Sequence, residues 1–295
     1  MPKNQWSVVS FDTSAINRLA DDPDCDTLLT GLRNGFHVRL SFTGVSEVLA
    51  TGNPERRQTL LGICRRLLEL GDCIDPQHEI IRKMVARFEA SPSFDWRDVY
   101  VRFPEAEIEI AREENVSDDD AAQEREHARA NNKVFVGVYD DAKPAFDGLF
   151  AAGTEKVPGS VSELVTRLQL KGGAFWTLAA NLYARVATNP ADETTIRRFV
   201  ARCDPFRALM IALLVAQYDR CVRPPHAGPS LRSGRNDTFM SVCLPYCHQF
   251  VTDDLGQLAC YREVVSVGNL DVTVRSYEEF HSGFLAMGAT AGLAT

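Results

Sequence analysis

The chain has 295 residues, a charged fraction of 24% and a net charge of −8, the profile of a soluble globular protein with room for a large core. No apolar run approaches the roughly 18 residues of a membrane span. The N-terminal MPKNQWSVVSFDTS lacks the apolar stretch of a signal peptide, so the cytoplasm is the expected location. The negative balance argues against a protein that coats nucleic acid with its whole surface.

The first fifty residues read as α/β. Gln5 to Phe11 is a short β-branched run that ends at Asp12 and predicts a buried strand. Asp24 to Asn34 is helical in pattern, with Gly35 placed to close it. His37 to Phe42 predicts a second strand, and TGVSEVL starts a helix. Alternation at this spacing implies a parallel sheet. From Pro54 to Arg202, apolar residues recur at three and four spacings, as in LLGICRRLLEL and SVSELVTRLQL, and KVFVGVY is the one ambiguous run. This stretch reads as a mostly α-helical insertion. The end returns to α/β. PFRALMIALLVAQYDRC is a buried helix, Arg223 to Gly234 a loop, and NDTFMSVCLPYC a helix kinked or ended by Pro245. Gln249 to Thr252 predicts a strand, Asp254 to Cys260 a short helix, and Val264 to Val267 a further strand. The expected organisation is an α/β core from 1–53 and 203–295, split by a helical insertion at 54–202.

Charge is unevenly spread. Glu105 to Glu126 holds ten acids and two arginines, whereas Arg197 to Arg235 holds eight arginines and two acids. The plain reading is two solvated faces of opposite sign; against it, the arginine-rich segment leads directly into the GRNDTFMS motif. The eight cysteines are scattered without a disulfide framework. Cys243 and Cys247 fall four apart on one helical face, but no second pair completes a metal site. Reduced thiols are expected.

Four positions could carry chemistry. Asp12 ends the first strand, and ligand sites of open parallel sheets lie beyond the strands' carboxyl ends; it could equally cap the following helix. Glu47 lies six residues past the second strand, about one turn into a helix. Asp237, in GRNDTFMS, stands at the first turn of its helix, where it or Asn236 could serve as a cap. Asp253 and Asp254 follow QFVT at a strand end, a place where turn chemistry is common. Gathered in one crevice, these acids would repel one another unless a cation offset them. Mg²⁺ or Mn²⁺ suits such oxygen ligands and supports phosphodiester hydrolysis.

The blocks VVSFDTSAIN, VRLSFTGVSEVL and RNDTFMSVCLPYCHQFVTDDLGQL, in that order, resemble the opening and closing units of PIN-domain ribonucleases. The resemblance implies a Rossmann-like parallel sheet of PIN type and a metal site of Asp12, Glu47, Asp237 and Asp254, with Asp253 as an alternative to Asp254. Thr13 and Thr252 would be supporting hydroxyls. Arg232 and Arg235, just before Asp237, would clamp substrate phosphates; surface solubility is the plainer reading. The implied activity is a metal-dependent nuclease, with RNA as the expected substrate. A catalytically silent binding or regulatory module and a structure-specific DNA nuclease are the alternatives. The acidic insertion could contact a protein partner, and self-association is possible.

Overall fold

The computed structural model describes residues 6–99, 101–103, 118–119, 121–123, 125–133, 137, 157–170, 174–222 and 234–291. Its centre is β1 (Ser7–Phe11), whose side chains alternate between two layers. Val9 and Phe11 enter one core and Val8 packs against the other. Helix α1 (Thr13–Ala20) follows directly, then α2 (Cys25–Leu32) and β2 (Phe36–Ser41). Gly35 closes the turn after α2 through a 3.3 Å bond from its N–H to the Leu32 carbonyl, and its backbone is not left-handed.

Ser41 ends β2 and caps α3 (Phe42–Leu49), accepting from the Gly44 N–H at 3.0 Å. Phe42 is therefore the first helical residue and not the last of the strand. Helix α4 (Pro54–Leu68) leads into β3 (Gly71–Ile74), then α5 (Gln77–Ala90). After the intervening segment come α6 (Val161–Leu170), α7 (Ala174–Ala184), α8 (Glu193–Arg202) and α9 (Asp204–Cys221). The closing unit is α10 (Arg235–Met240), a 3₁₀ turn (Ser241–Tyr246), β4 (Gln249–Thr252), α11 (Leu255–Gly268), β5 (Thr273–Ser276) and α12 (Tyr277–Ala291).

The five strands are all parallel, in the order β3-β2-β1-β4-β5. The order of strand addition reverses at β1, with β2 and β3 laid on one side of it and β4 and β5 on the other, and there the carboxyl ends of β1 and β4 open a crevice. Both faces are covered, as a parallel sheet requires. One core holds α1 to α4 and Phe280 of α12; the other holds α5 to α9, α11 and Phe250.

Several expectations change. Gly71–Ile74, inside the stretch read as helical, is an edge strand paired with β2. Four residues with a glycine and an aspartate carry too little pattern to announce a strand. The helices of that stretch also share the core of the α/β unit, through ring contacts such as Phe88–Phe199 at 5.1 Å and Phe199–Phe206 at 4.9 Å. Val264 to Val267 is not a strand but the last turn of α11. The helix is stopped by Asn269 in the left-handed region, φ 48°, with Leu270 N–H returning to the Val265 carbonyl at 3.1 Å. Tertiary packing of Val264 overrides the β-branched preference.

The helix expected over NDTFMSVCLPYC divides into α10 and a 3₁₀ turn that contains Pro245. Cys243 lies in that turn and Cys247 beyond it, so they do not share a helical face. Both are buried free thiols. Most of KVFVGVY and most of the acidic run lie outside the described residues. Among the described residues no helix is long and apolar enough to cross a membrane.

Candidate active site

Asp12 is the pivot of the crevice, with 3% of its surface exposed. It caps α1 by accepting from the Ala15 N–H at 2.7 Å, so the capping role and the crevice position coexist. Thr252, at the end of β4, donates its hydroxyl to Asp12 Oδ2 at 2.7 Å. Ser14 Oγ lies 2.9 Å from both Asp12 oxygens and accepts the N–H groups of Asp253 at 2.7 Å and Asp254 at 3.0 Å. The ends of β1 and β4 are thus stitched together by hydroxyl groups 238 residues apart.

Glu47, half-buried on α3, accepts Thr13 Oγ1 at 2.5 Å on one oxygen and the Asn236 amide at 2.9 Å on the other. Asp237 sits at the third position of α10 and accepts the Gly234 N–H at 2.8 Å, so Gly234 and not Asn236 occupies the cap position. Gln257, buried on α11, links the two halves. Its carbonyl oxygen lies 3.0 Å from Thr252 Oγ1, and its amide reaches Asp237 Oδ1 at 3.4 Å and Tyr261 OH at 3.1 Å. Tyr261 in turn donates to the Asp237 carbonyl at 2.5 Å. Asp254 is exposed and caps α11 through the Gln257 N–H at 2.8 Å.

Asp12, Asp237 and Asp254 therefore share one hydrogen-bonded network through Thr252 and Gln257; Glu47 stands beside it, held by Thr13 and Asn236, and Asp237 feels its charge. Asp253 also borders it through its backbone, but Asp237 feels the charge of Asp254. Arg235 lines the groove beside Glu47 and Asn236, its guanidinium 5.1 Å from the Phe239 ring. Arg232 lies outside the described residues. The sequence reading missed Ser14, Asn236, Gln257 and Tyr261. Only Ser14 and Asn236 offered a signal, as polar neighbours of predicted acids; Gln257 and Tyr261 are recognisable only once α11 is placed.

The electrostatics follow from burial. Desolvation pushes the Asp12 pKa up to about 7, against the lowering effect of its Ala15, Thr252 and Ser14 bonds, and Asp237 adds repulsion. Asp237 is pushed up to about 6, first by desolvation and then by Glu47 and Asp254, with the Gly234 N–H opposing. Among the described residues, no lysine, arginine or histidine forms an ion pair with any of the four acids. The donor set is all oxygen and anionic, which fits Mg²⁺ or Mn²⁺ in kind.

No three of these acids bring oxygens within 4.8 Å of one another. The one such trio among the described residues is Asp22, Asp24 and His281, elsewhere in the fold. The cluster is no ready-made cage. It suits an ion that keeps several waters and takes only one or two carboxylates directly. His248, at the other end of β4, accepts the Val8 N–H through Nδ1 at 2.8 Å and stands outside the cluster.

Asp237→Asn should leave stability without metal unchanged or raised above about pH 6, because an amide oxygen can still accept the Gly234 N–H while the repulsion disappears. Thermal unfolding in EDTA checks this; a clear drop in Tm would make capping the main role of Asp237.

No family model, curated protein or solved structure matches the chain.

Proposed function

We propose that this crevice is a PIN-like, metal-dependent nuclease site that hydrolyses phosphodiester bonds, with RNA as the leading substrate. The observation that carries the reading is the meeting of Asp12, Glu47, Asp237 and Asp254 in one cluster of electrostatically coupled acids at the carboxyl edge of a parallel sheet, with no cationic partner among the described residues. When bound there, Mg²⁺ or Mn²⁺ would supply a hydroxide nucleophile at neutral pH and offset charge on the phosphate. Asp12 and Asp237 are the natural direct ligands, being the two whose charge is most costly without one. Thr252, Ser14 and Thr13 hold the carboxylate orientations, and Asn236 steers Glu47. Arg235 stands at the rim, where its forked donors suit a phosphate. Because Asp12 and Asp237 hold protons close to neutral pH, cation binding must release them, and affinity should rise with pH.

The test is cleavage of labelled single-stranded RNA and DNA in Mg²⁺, Mn²⁺ or EDTA. Cleavage confined to the two cations is expected, with a Mn²⁺-induced rise in Tm that is larger at pH 8 than at pH 5. Cleavage in EDTA would overturn the reading, as would absence of both cleavage and thermal shift. A second reading, a catalytically silent nucleic-acid-binding module, is favoured by the spacing of the carboxylate oxygens. Binding without cleavage in either cation would select it.

A further inference from the structure

The acidic cluster opens into a groove. Two adjoining cavities, of about 250 and 460 Å³, share Glu47, Ala128, Arg235 and Asn236 as lining. The smaller begins at Asp237, and the larger runs away over α3 towards the first turn of α5. Chemistry changes along it. The near end is charged by Glu47, Asp237, Arg129 and Arg235. The far end is lined by the Phe42 and Phe239 rings, by His78 and His127, and by the amides of Gln77 and Asn131.

Helical residues 125–133 form the outer wall. Asn132 Oδ1 accepts the Arg235 N–H at 2.9 Å, and Arg125 donates to the Ala50 carbonyl at 3.3 Å. His127 and Asn131 stand four apart, and so on one face of that helix, with small Ala128 beside them. Phe42 is half-buried, edge-on to Phe103 at 4.8 Å, and the half-buried Phe239 ring has Arg235 over it. The larger cavity has the size of a small-ligand pocket, about 300–1,000 Å³. Flat rings, imidazoles and amides are the groups that stack on and hydrogen-bond the edges of an unpaired base.

We infer that the far end of this groove is a nucleobase subsite, which takes an unpaired base of the nucleotide flanking the phosphate at the acidic cluster, with His127 and Asn131 as its selective wall. The subsite rests on the nuclease reading for the position of the phosphate, but base binding can be measured without cleavage.

The experiment is fluorescence anisotropy with labelled homopolymers of adenosine, cytidine or uridine, in EDTA below pH 7, where Asp12 carries least charge. The full chain is compared with His127→Ala and Asn131→Ala, both exposed positions on which no buried contact depends. The wild type should prefer one base by about tenfold or more, the scale of one stacking and hydrogen-bonding site. The variants should lose that preference while keeping the binding of the weakest homopolymer and an unchanged circular dichroism spectrum. Equal binding of all three homopolymers by the wild type, or an unaltered preference in both variants, would overturn the subsite. Base preference without metal-dependent cleavage would sink the nuclease reading and leave the subsite standing; cleavage without base preference would do the reverse.

Discussion

Replacing Asp12 with Asn should abolish metal-dependent cleavage and, without metal, make the protein more stable above pH 7. Folded Asp12 holds its proton up to about pH 7, against an ordinary value of 3.8. Its contribution to stability is therefore complete below the ordinary value and is lost as pH rises through about 7. Above that, the wild type carries a buried charge without a cationic partner among the described residues. Three pH units correspond to about 4 kcal/mol at most. Asn recovers only part of this, because Thr252 and Ser14 lose a charged acceptor worth about 1 kcal/mol per bond. A net gain of about 1–3 kcal/mol would raise Tm by about 2–4 °C per kcal/mol. The gain should be nearly gone by pH 4, where the wild-type carboxyl is neutral in the folded state and only about half ionised in the unfolded one. Thermal scans from pH 4 to 8 in EDTA, with and without added Mn²⁺, test the whole argument. A variant that cleaves RNA like the wild type would remove Asp12 from the site, and one that is destabilised equally at every pH would reduce it to a helix cap.

The largest effect on folding is expected from Gly71→Ala. An added Cβ would sit 1.7 Å from the Val38 carbonyl oxygen and 2.6 Å from its carbon, both backbone atoms of the paired strand. No rotamer relieves a clash with backbone, so β3 must separate from β2. Buried Cys73 and Ile74 would then leave the core, a loss of about 4 kcal/mol or more. Gly62→Ala is the matched control. It lies within α4 with nothing within 4 Å of its added Cβ, and should be neutral or stabilising by about 0.5–1 kcal/mol. Urea unfolding of both variants checks the pair. Gly71→Ala with wild-type stability would show that the β2–β3 pairing is looser than its register implies.

The clearest strands in the sequence were those whose pattern is strong over a few residues. VVSF, VRLS and QFVT each read as strands because β-branched and aromatic residues run together and stop at a polar residue. Where local preference and packing disagreed, the reading failed. GDCI lacks a pattern yet pairs along β2, and VVSV has the pattern of a strand yet completes α11, since a helix capped at Asp254 has no stop before Asn269.

The acids divide in the same way. That Asp12 and Asp254 end strands, and that Glu47 and Asp237 stand on early helical turns, was legible from position alone, because these are local facts. Their meeting was not. It depends on β4 lying beside β1, on Thr252 reaching Asp12 across 240 residues, and on Gln257 and Tyr261 coming up beneath Asp237 from α11. Hydrogen bonds between distant segments leave no periodicity in a sequence. The chain by itself therefore determined which side chains could do chemistry and at which strand ends they stand. Only the tertiary structure decided that they share one cluster, which of them are buried and reluctant to ionise, and that helical residues 125–133 wall the groove leading away from them.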